Sequence, residues 1–420
     1  MFDFKTLTLG VAPTRRDLFP KPENARANKI PMMKRLREIF AGIENLKIVD
    51  IEDVNEEGLL TYPQDVEKTI KKFRDAKVDA VFFPHSNFGQ EEAVAKLAKA
   101  LNVPVLIWGP RDNVQAMGEP NRPTDAQCGM FATTRALTRY GVPFQYIENC
   151  WLDSPVLPKG IEHFVRVVSA VKALRRLRVL QISTRPWQFL SVKYNESEIL
   201  ERFGIEVCPV ESTDLIAAVR AVPEKWPDEL NALLAEWKRD LTFVNDPDER
   251  VRTMACLEIG IQKTAEENGC TVVSSDCWRL YNNSLGVRPC FVYGDLSRRG
   301  LPTACENDLL GAVSQAILMG ATRYETPPFL ADITIRHPEN DNAELLWHCG
   351  PFPYTLAKAG AKREVIGQHG AFELKGGPLT LCRFDGDHGV YRLFAEECHT
   401  TQGPWTDGNY LWIGPSGKRS

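Results

Sequence analysis

The first third of the chain switches repeatedly between a hydrophobic period of about two residues and one near 3.6. Residues 6–11, 46–51, 78–84 and 103–108 carry short β-branched and aromatic runs, and the last two runs are almost continuously apolar. Between them, 25–41, 63–76 and 91–101 place apolar side chains at helical spacing. Strands alternating with helices of this length predict βαβ units and a parallel sheet covered on both faces. Helices at 129–140 and 161–177 follow. A second alternating unit then has strands at 178–183, 205–210 and 271–275, with helices at 249–268 and 303–319.

After residue 326 the helical period disappears. Short β runs at 329–336, 378–384, 390–396 and 410–413 are separated by turns such as Asp385-Gly386-Asp387. The expected fold class is therefore α/β. Two doubly wound parallel-sheet domains, 1–170 and 171–325, precede a small antiparallel, β-barrel-like domain over 326–420.

Composition narrows the function classes. The chain has 420 residues, 43% apolar and 25% charged, the balance of a globular protein with more than one core. A net charge of −4 provides no global basic field, so neither nucleic acid nor an anionic membrane is an expected partner. The opening residues lack the charged-then-apolar order of an export signal, and no apolar run is long enough to cross a bilayer. Eleven cysteines are scattered without a C-x-x-C pair, which argues against a Cys₄ zinc framework and for reduced thiols in the cytoplasm.

No G-x-x-x-x-G-K-[ST] loop, no G-x-G-x-x-G after the first strand and no G-x-S-x-G elbow is present. P-loop, nicotinamide-dependent and serine-hydrolase chemistries are therefore disfavoured. Two carboxylates stand out instead. Glu306, in Leu301-Pro-Thr-Ala-Cys-Glu-Asn-Asp-Leu-Leu-Gly311, is expected in the first turn of the helix at 303–319, where the helix dipole favours an anion. Asp332, in Phe329-Leu-Ala-Asp-Ile-Thr-Ile335, interrupts an apolar run expected to be a half-buried strand, where a carboxylate needs a cation or several donors. The alternatives are a surface acid at a helix start and a charge on an edge strand. Taken together, the pair suggests a hard-cation site of oxygen ligands.

The same segments carry a resemblance. Glu306-Asn-Asp-Leu-Leu-Gly311 and Phe329-Leu-Ala-Asp332 resemble the segments that supply the metal-binding glutamate and aspartate in the L-fucose/L-arabinose isomerase family. Trp347-His-Cys-Gly350 is similar to the segment opening that family's C-terminal domain, and Gly403-Pro-Trp405 to its sugar-lining aromatic segment. The basic motif Pro13-Thr-Arg-Arg-Asp17 also matches. The resemblance implies a metal-dependent aldose–ketose isomerase acting on a free sugar through an enediolate, with Mn²⁺ (or Mg²⁺ or Co²⁺) as cofactor. Glu306 and Asp332 would be both metal ligands and proton carriers.

It further implies a homo-oligomer, usually a hexamer, whose sites are completed by a neighbour's N-terminal domain. Arg15, Arg16, His85, Asn87 and Gln90 are the candidates for that edge, lying after strands of an open α/β sheet. Arg15 and Arg16 are equally open to pairing with acids on the first helix, and His85 to a structural role. Trp405 and Trp278 are the candidate stacking residues. The family's further metal-binding histidine comes from beyond the last strands, and here no histidine follows His399. His399 and His348 are the candidate substitutes. Arg15, Arg16 and Arg111 leave room for an anionic sugar, because arginine forks suit sulfonate and carboxylate oxygens. The alternative reading is a non-catalytic sugar-binding or regulatory protein, which would leave Glu306 and Asp332 solvent-facing and apart.

Overall fold

The computed structural model describes residues 5–17, 22–112 and 124–415, which form two compact units, Phe2–Lys172 and Ala173–Ser420. In the first, β1 (Leu7–Val11), β2 (Leu46–Val49), β3 (Ala80–Pro84), β4 (Val105–Trp108) and β5 (Gln145–Tyr146) form a parallel sheet in the order β2-β1-β3-β4-β5. Helices Pro22–Ala41, Pro63–Asp75, Glu91–Leu101 and Ala126–Arg139 connect them. Alternate residues of a strand face opposite sides, and both sides here are apolar. Phe82 and Trp108 pack with Phe164 on one face, while Val81, Phe83 and Ile107 pack with Phe73 on the other. That two-sided burial is why β3 and β4 lack alternation. The order makes β1 and β3 the point where successive crossovers leave in opposite directions, the position where open α/β sheets bind ligands.

The second unit opens with β6 (Arg178–Ile182) and β7 (Glu206–Val210), while β8 (Thr242–Val244) joins a different sheet. β9 (Val272–Ser275) and β10 (Thr303–Ala304) complete a second parallel sheet, β10-β9-β6-β7. The remaining strands are β11 (Asp332–Arg336), β12 (Glu344–His348), β13 (Glu364–Ile366), β14 (His369–Glu373), β15 (Pro378–Asp387), β16 (Val390–Thr400) and β17 (Asn409–Pro415). They build a mixed sheet, β11-β12-β17-β14-β13-β8, with β16 also pairing β15 and β17. Its ladders are antiparallel except β13–β8 and β14–β17. One continuous core joins this sheet to the second α/β layer, running from Leu180, Trp237 and Phe291 to Val365, Phe372 and Leu411.

Helices Ser212–Lys225 and Pro227–Asp240, which the hydrophobic pattern did not single out, cover part of that core. Trp237 is its largest anchor: fully buried, edge-on to Phe291 at 5.1 Å, with its indole N–H donated to Asp295 at 2.9 Å. Trp237→Ala is expected to cost about 3–5 kcal/mol of stability, because it leaves a large cavity and removes a buried hydrogen bond to Asp295. A urea unfolding series checks it.

Two local expectations are corrected. The helix expected at 303–319 runs from Leu309 to Ala321, and Thr303–Ala304 is an edge strand pairing β9. Asp308 supplies the N-cap, its carboxylate accepting the Gly311 N–H at 2.9 Å. Asp332 opens β11, which is exposed along its whole length at the edge of its sheet, so no burial penalty applies there. Among the described residues, no helix is long and apolar enough to cross a membrane.

Candidate active site

Glu306 occupies a tight turn between β10 and the helix Leu309–Ala321 rather than the helix itself. Both Glu306 (φ 60°) and Asn307 (φ 57°) adopt the left-handed conformation. Such backbone costs about 1–3 kcal/mol for a non-glycine residue and persists only where its surroundings enforce it. Asn307 does the enforcing. Its buried amide donates to the Ile182 and Ser183 carbonyls at 3.1 and 2.9 Å, and its oxygen accepts the Ser274 hydroxyl at 3.0 Å. The turn is thereby pinned across the carboxyl ends of β6 and β9, where the strand order of the second sheet reverses. From the other side, Arg383 of β15 pairs with Asp308. Asn307→Ala is expected to destabilise the unit by about 1–3 kcal/mol and to lower turnover by releasing Glu306. Chemical denaturation and kcat measured together test this.

His348 and Asp332 act on Glu306 through their charges, and Trp278 touches it directly. The Trp278 side chain hydrogen-bonds the Glu306 carboxylate. Trp278 is itself held by Asp276, whose carboxylate caps the Trp278 and Leu280 amides at 3.0 and 3.1 Å, and it meets Phe189 edge-on at 5.0 Å. Burial raises the Glu306 pKa above the ordinary glutamate value and Asp332 adds to it, while His348 works against both. Burial disfavours the charged form of His348, but Cys349, Asp332 and Glu306 together outweigh it and raise its pKa.

His348, at the end of β12, is buried, and among the described residues its Nε2 has no hydrogen-bond partner. Its Nδ1 lies 2.9 Å from the Cys349 amide and 3.3 Å from the Cys349 sulfur. Because Nδ1 accepts the Cys349 amide N–H, the neutral ring carries its proton on Nε2, and Nε2 can bind a metal only when that proton leaves it. Gly350 follows at φ 132°, and a Cβ there would meet the Gly370 nitrogen at 2.5 Å, so the Trp347-His-Cys-Gly350 segment needs glycine at its end.

Of the two candidate histidines, His348 is therefore the one beside the carboxylates. His399 is exposed near the end of β16, opposite Pro378 and Gly414. Trp405 is 80% exposed, between β16 and β17.

The five candidates in the first unit lie in the loops after β1 and β3. Asn87 accepts the Arg16 amide at 2.8 Å and the Gly89 amide at 3.1 Å, tying the loop after β1 to the loop after β3. Thr14 caps the Gln90 amide at 3.0 Å. Arg15 is only 3% exposed and its fork is held by Asp17 and Glu57, acids of loops rather than of the first helix. Arg16 lies 3.6 Å over the Phe88 ring and pairs with Glu91 at 3.4 Å. His85 is fully buried, its Nδ1 2.9 Å from the Phe88 carbonyl and its Nε2 without a partner among the described residues. Burial lowers its pKa to about 4, so the ring is neutral.

A thiol cluster beside Glu306 was not legible in the sequence. Cys277 and Cys305 share a hydrogen bond, and with Glu306 they bring three potential ligand atoms within 4.8 Å of one another. Cys290 and Cys349 approach to 3.5 Å. That contact lowers the Cys349 thiol, with His348 and His369 contributing, and raises Cys290. These cysteines lie up to 72 positions apart in the chain (Cys277 to Cys349), so no local spacing could reveal them.

Parallel α/β sheets with a carboxylate-bearing turn at a strand-order reversal define the structural class, and comparison with known proteins shows what the chain resembles. Residues 10–175 match the model of the N-terminal domain of fucose/sulfoquinovose isomerases. A sulfoquinovose isomerase of Priestia megaterium is 25% identical over 345 residues, covering 80% of this chain and 75% of that protein. One from Alkalicoccus urumqiensis is 26% identical over 344 residues, with the same coverage of each chain. Over residues 10–175 the chain is thus similar to the N-terminal domain of the fucose/sulfoquinovose isomerases. A solute-binding protein of Bacillus halodurans with bound myo-inositol aligns over 77% of this chain and 91% of its own at 12% identity, with a TM-score of 0.19, and carries no argument.

Proposed function

We propose that this protein is an aldose–ketose isomerase that depends on a divalent metal and acts on a free, sulfonated aldose. The observation that supports this is that half-buried Glu306, in its turn at the strand-order reversal, feels the charges of both Asp332 and buried His348. Two carboxylates and one imidazole form a donor set suited to Mn²⁺, and also to Mg²⁺ or Co²⁺. When bound, such an ion polarises the sugar carbonyl and acidifies the neighbouring C–H.

The remaining work falls to side chains. Glu306, with its pKa raised by burial, takes the proton from the carbon beside the carbonyl. The enediolate that results is reprotonated on the adjacent carbon, with Asp332 mediating the return. Trp278 fixes the Glu306 carboxylate through its side-chain hydrogen bond and offers an apolar face to the sugar. A half-buried Glu306 that feels the charge of Asp332 is not what a non-catalytic binding protein requires, and this favours the enzyme.

The sulfonated substrate is favoured by the relatives, which are sulfoquinovose isomerases. Within the first unit, Arg16, whose side chain is 29% exposed and meets Glu91 at 3.4 Å, is more accessible to anionic oxygens than Arg15, which is 4% exposed and held by Asp17 and Glu57. A panel assay tests the reading. Ketose formation should be fastest with sulfoquinovose and slower with L-fucose and L-arabinose. Turnover of the neutral sugars alone would overturn the anionic preference, and turnover of none would overturn the isomerase.

A further inference from the structure

We infer that Cys290, Cys349 and His369 form a second metal site, one for a thiophilic cation such as Zn²⁺, separate from the carboxylate site at Glu306. Their ligand atoms lie within 4.8 Å of one another, although the residues come from three distant elements. Cys290 is the first residue of the helix Cys290–Arg298, Cys349 follows β12, and His369 opens β14. Two of these elements are locked together by the Gly350–Gly370 approach.

The sulfur separation discriminates between uses. Cys290 and Cys349 stand 3.5 Å apart. A disulfide needs about 2.05 Å, so a bond would require both residues to move. Two sulfurs on one tetrahedral zinc, at about 2.3 Å each, would be roughly 3.8 Å apart. The observed gap is close to that and needs only a small expansion.

Charge and ligand type agree. Two thiolates and a neutral imidazole balance a divalent ion and leave a fourth position open, as in zinc sites with three protein ligands. Soft sulfur donors select zinc or cadmium over manganese, which keeps the two sites chemically distinct. His369 now places Nδ1 2.6 Å from the Cys349 carbonyl and Nε2 2.9 Å from Arg288. One of these contacts must yield on binding. Arg288 is exposed and free to swing into solvent. Cys349 also touches His348 Nδ1 at 3.3 Å, so a cation here would alter the support of a carboxylate-site ligand. The inference does not depend on the isomerase reading.

Cadmium is the probe, because thiolate-to-cadmium charge transfer absorbs in the ultraviolet. Titration of the full, chelator-stripped chain, kept reduced with a phosphine, should give a band that saturates near one equivalent. The band should fall by at least half in Cys290→Ser and in Cys349→Ser, and survive in Cys277→Ser. A second measurement needs no variant: equimolar Zn²⁺ should slow alkylation of Cys349 at least tenfold, read by peptide mass spectrometry. No band and no protection would overturn the site. So would a band lost in Cys277→Ser but kept in the other two, which would place the ion at Cys277, Cys305 and Glu306.

Discussion

Glu306→Gln is expected to lower kcat by roughly 10²–10⁴-fold and, in the metal-free protein, to raise the melting temperature. Loss of activity follows because glutamine can neither accept the sugar proton nor provide an anionic ligand. The gain in stability follows from the raised pKa. Burial and Asp332 disfavour ionised Glu306 in the folded chain, whereas the unfolded chain ionises it freely. A carboxyl whose folded pKa lies above its unfolded one weakens the fold at neutral pH. That penalty disappears as pH falls below the unfolded value, where both states are protonated. Glutamine removes the penalty at neutral pH, so the two melting temperatures should differ there and converge in acid. Added Mn²⁺ should reverse the order by stabilising only the wild type. Thermal scans of chelator-treated proteins across pH, with and without Mn²⁺, check each part. A variant less stable than the wild type in the absence of metal would show that Glu306 holds the turn rather than strains it.

His348→Gln is expected to weaken Mn²⁺ binding by 100-fold or more, whereas His399→Gln should leave it unchanged. Replacing an outer partner of a ligand typically costs about 10–100-fold in metal affinity, so loss of a ligand should cost at least as much. His348 is buried and feels both carboxylates, with Nε2 unpartnered among the described residues, whereas His399 is exposed on β16. Calorimetric titration of the chelator-stripped variants measures both constants. Equal affinities for wild type and His348→Gln would remove this histidine from the site.

How much of this was legible in the sequence depended on range. β3 and β4 announced themselves because both faces of the first sheet are covered, which makes Val81, Phe82 and Phe83 apolar in succession. Glu306 was identifiable as a residue but not in its setting. Leu309, Leu310 and Val313 carry a helical stripe that extrapolates backwards over Thr303, and nothing local reveals that Glu306 and Asn307 turn left-handed. That conformation is set by Asn307 reaching β6, more than 120 positions away. Asp332 looked costly because Phe329, Leu330 and Ala331 pack into the core, yet the chain leaves the core at Asp332 itself and becomes an exposed edge strand. β8 joins the mixed sheet through a parallel pairing with β13 about 120 residues on, a non-local contact that periodicity does not encode. The thiol cluster is the same case in chemical form. Each cysteine alone looks like a small buried apolar residue, and only the fold brings them together.

The central claim is that Glu306, Asp332 and His348 hold a metal that isomerises a sugar. Its most direct test is turnover of sulfoquinovose by chelator-stripped protein before and after Mn²⁺ is restored. The account predicts no ketose without metal, recovery on addition of Mn²⁺, and no recovery in Glu306→Gln. Undiminished turnover by the stripped protein, or recovery in the variant, would contradict it.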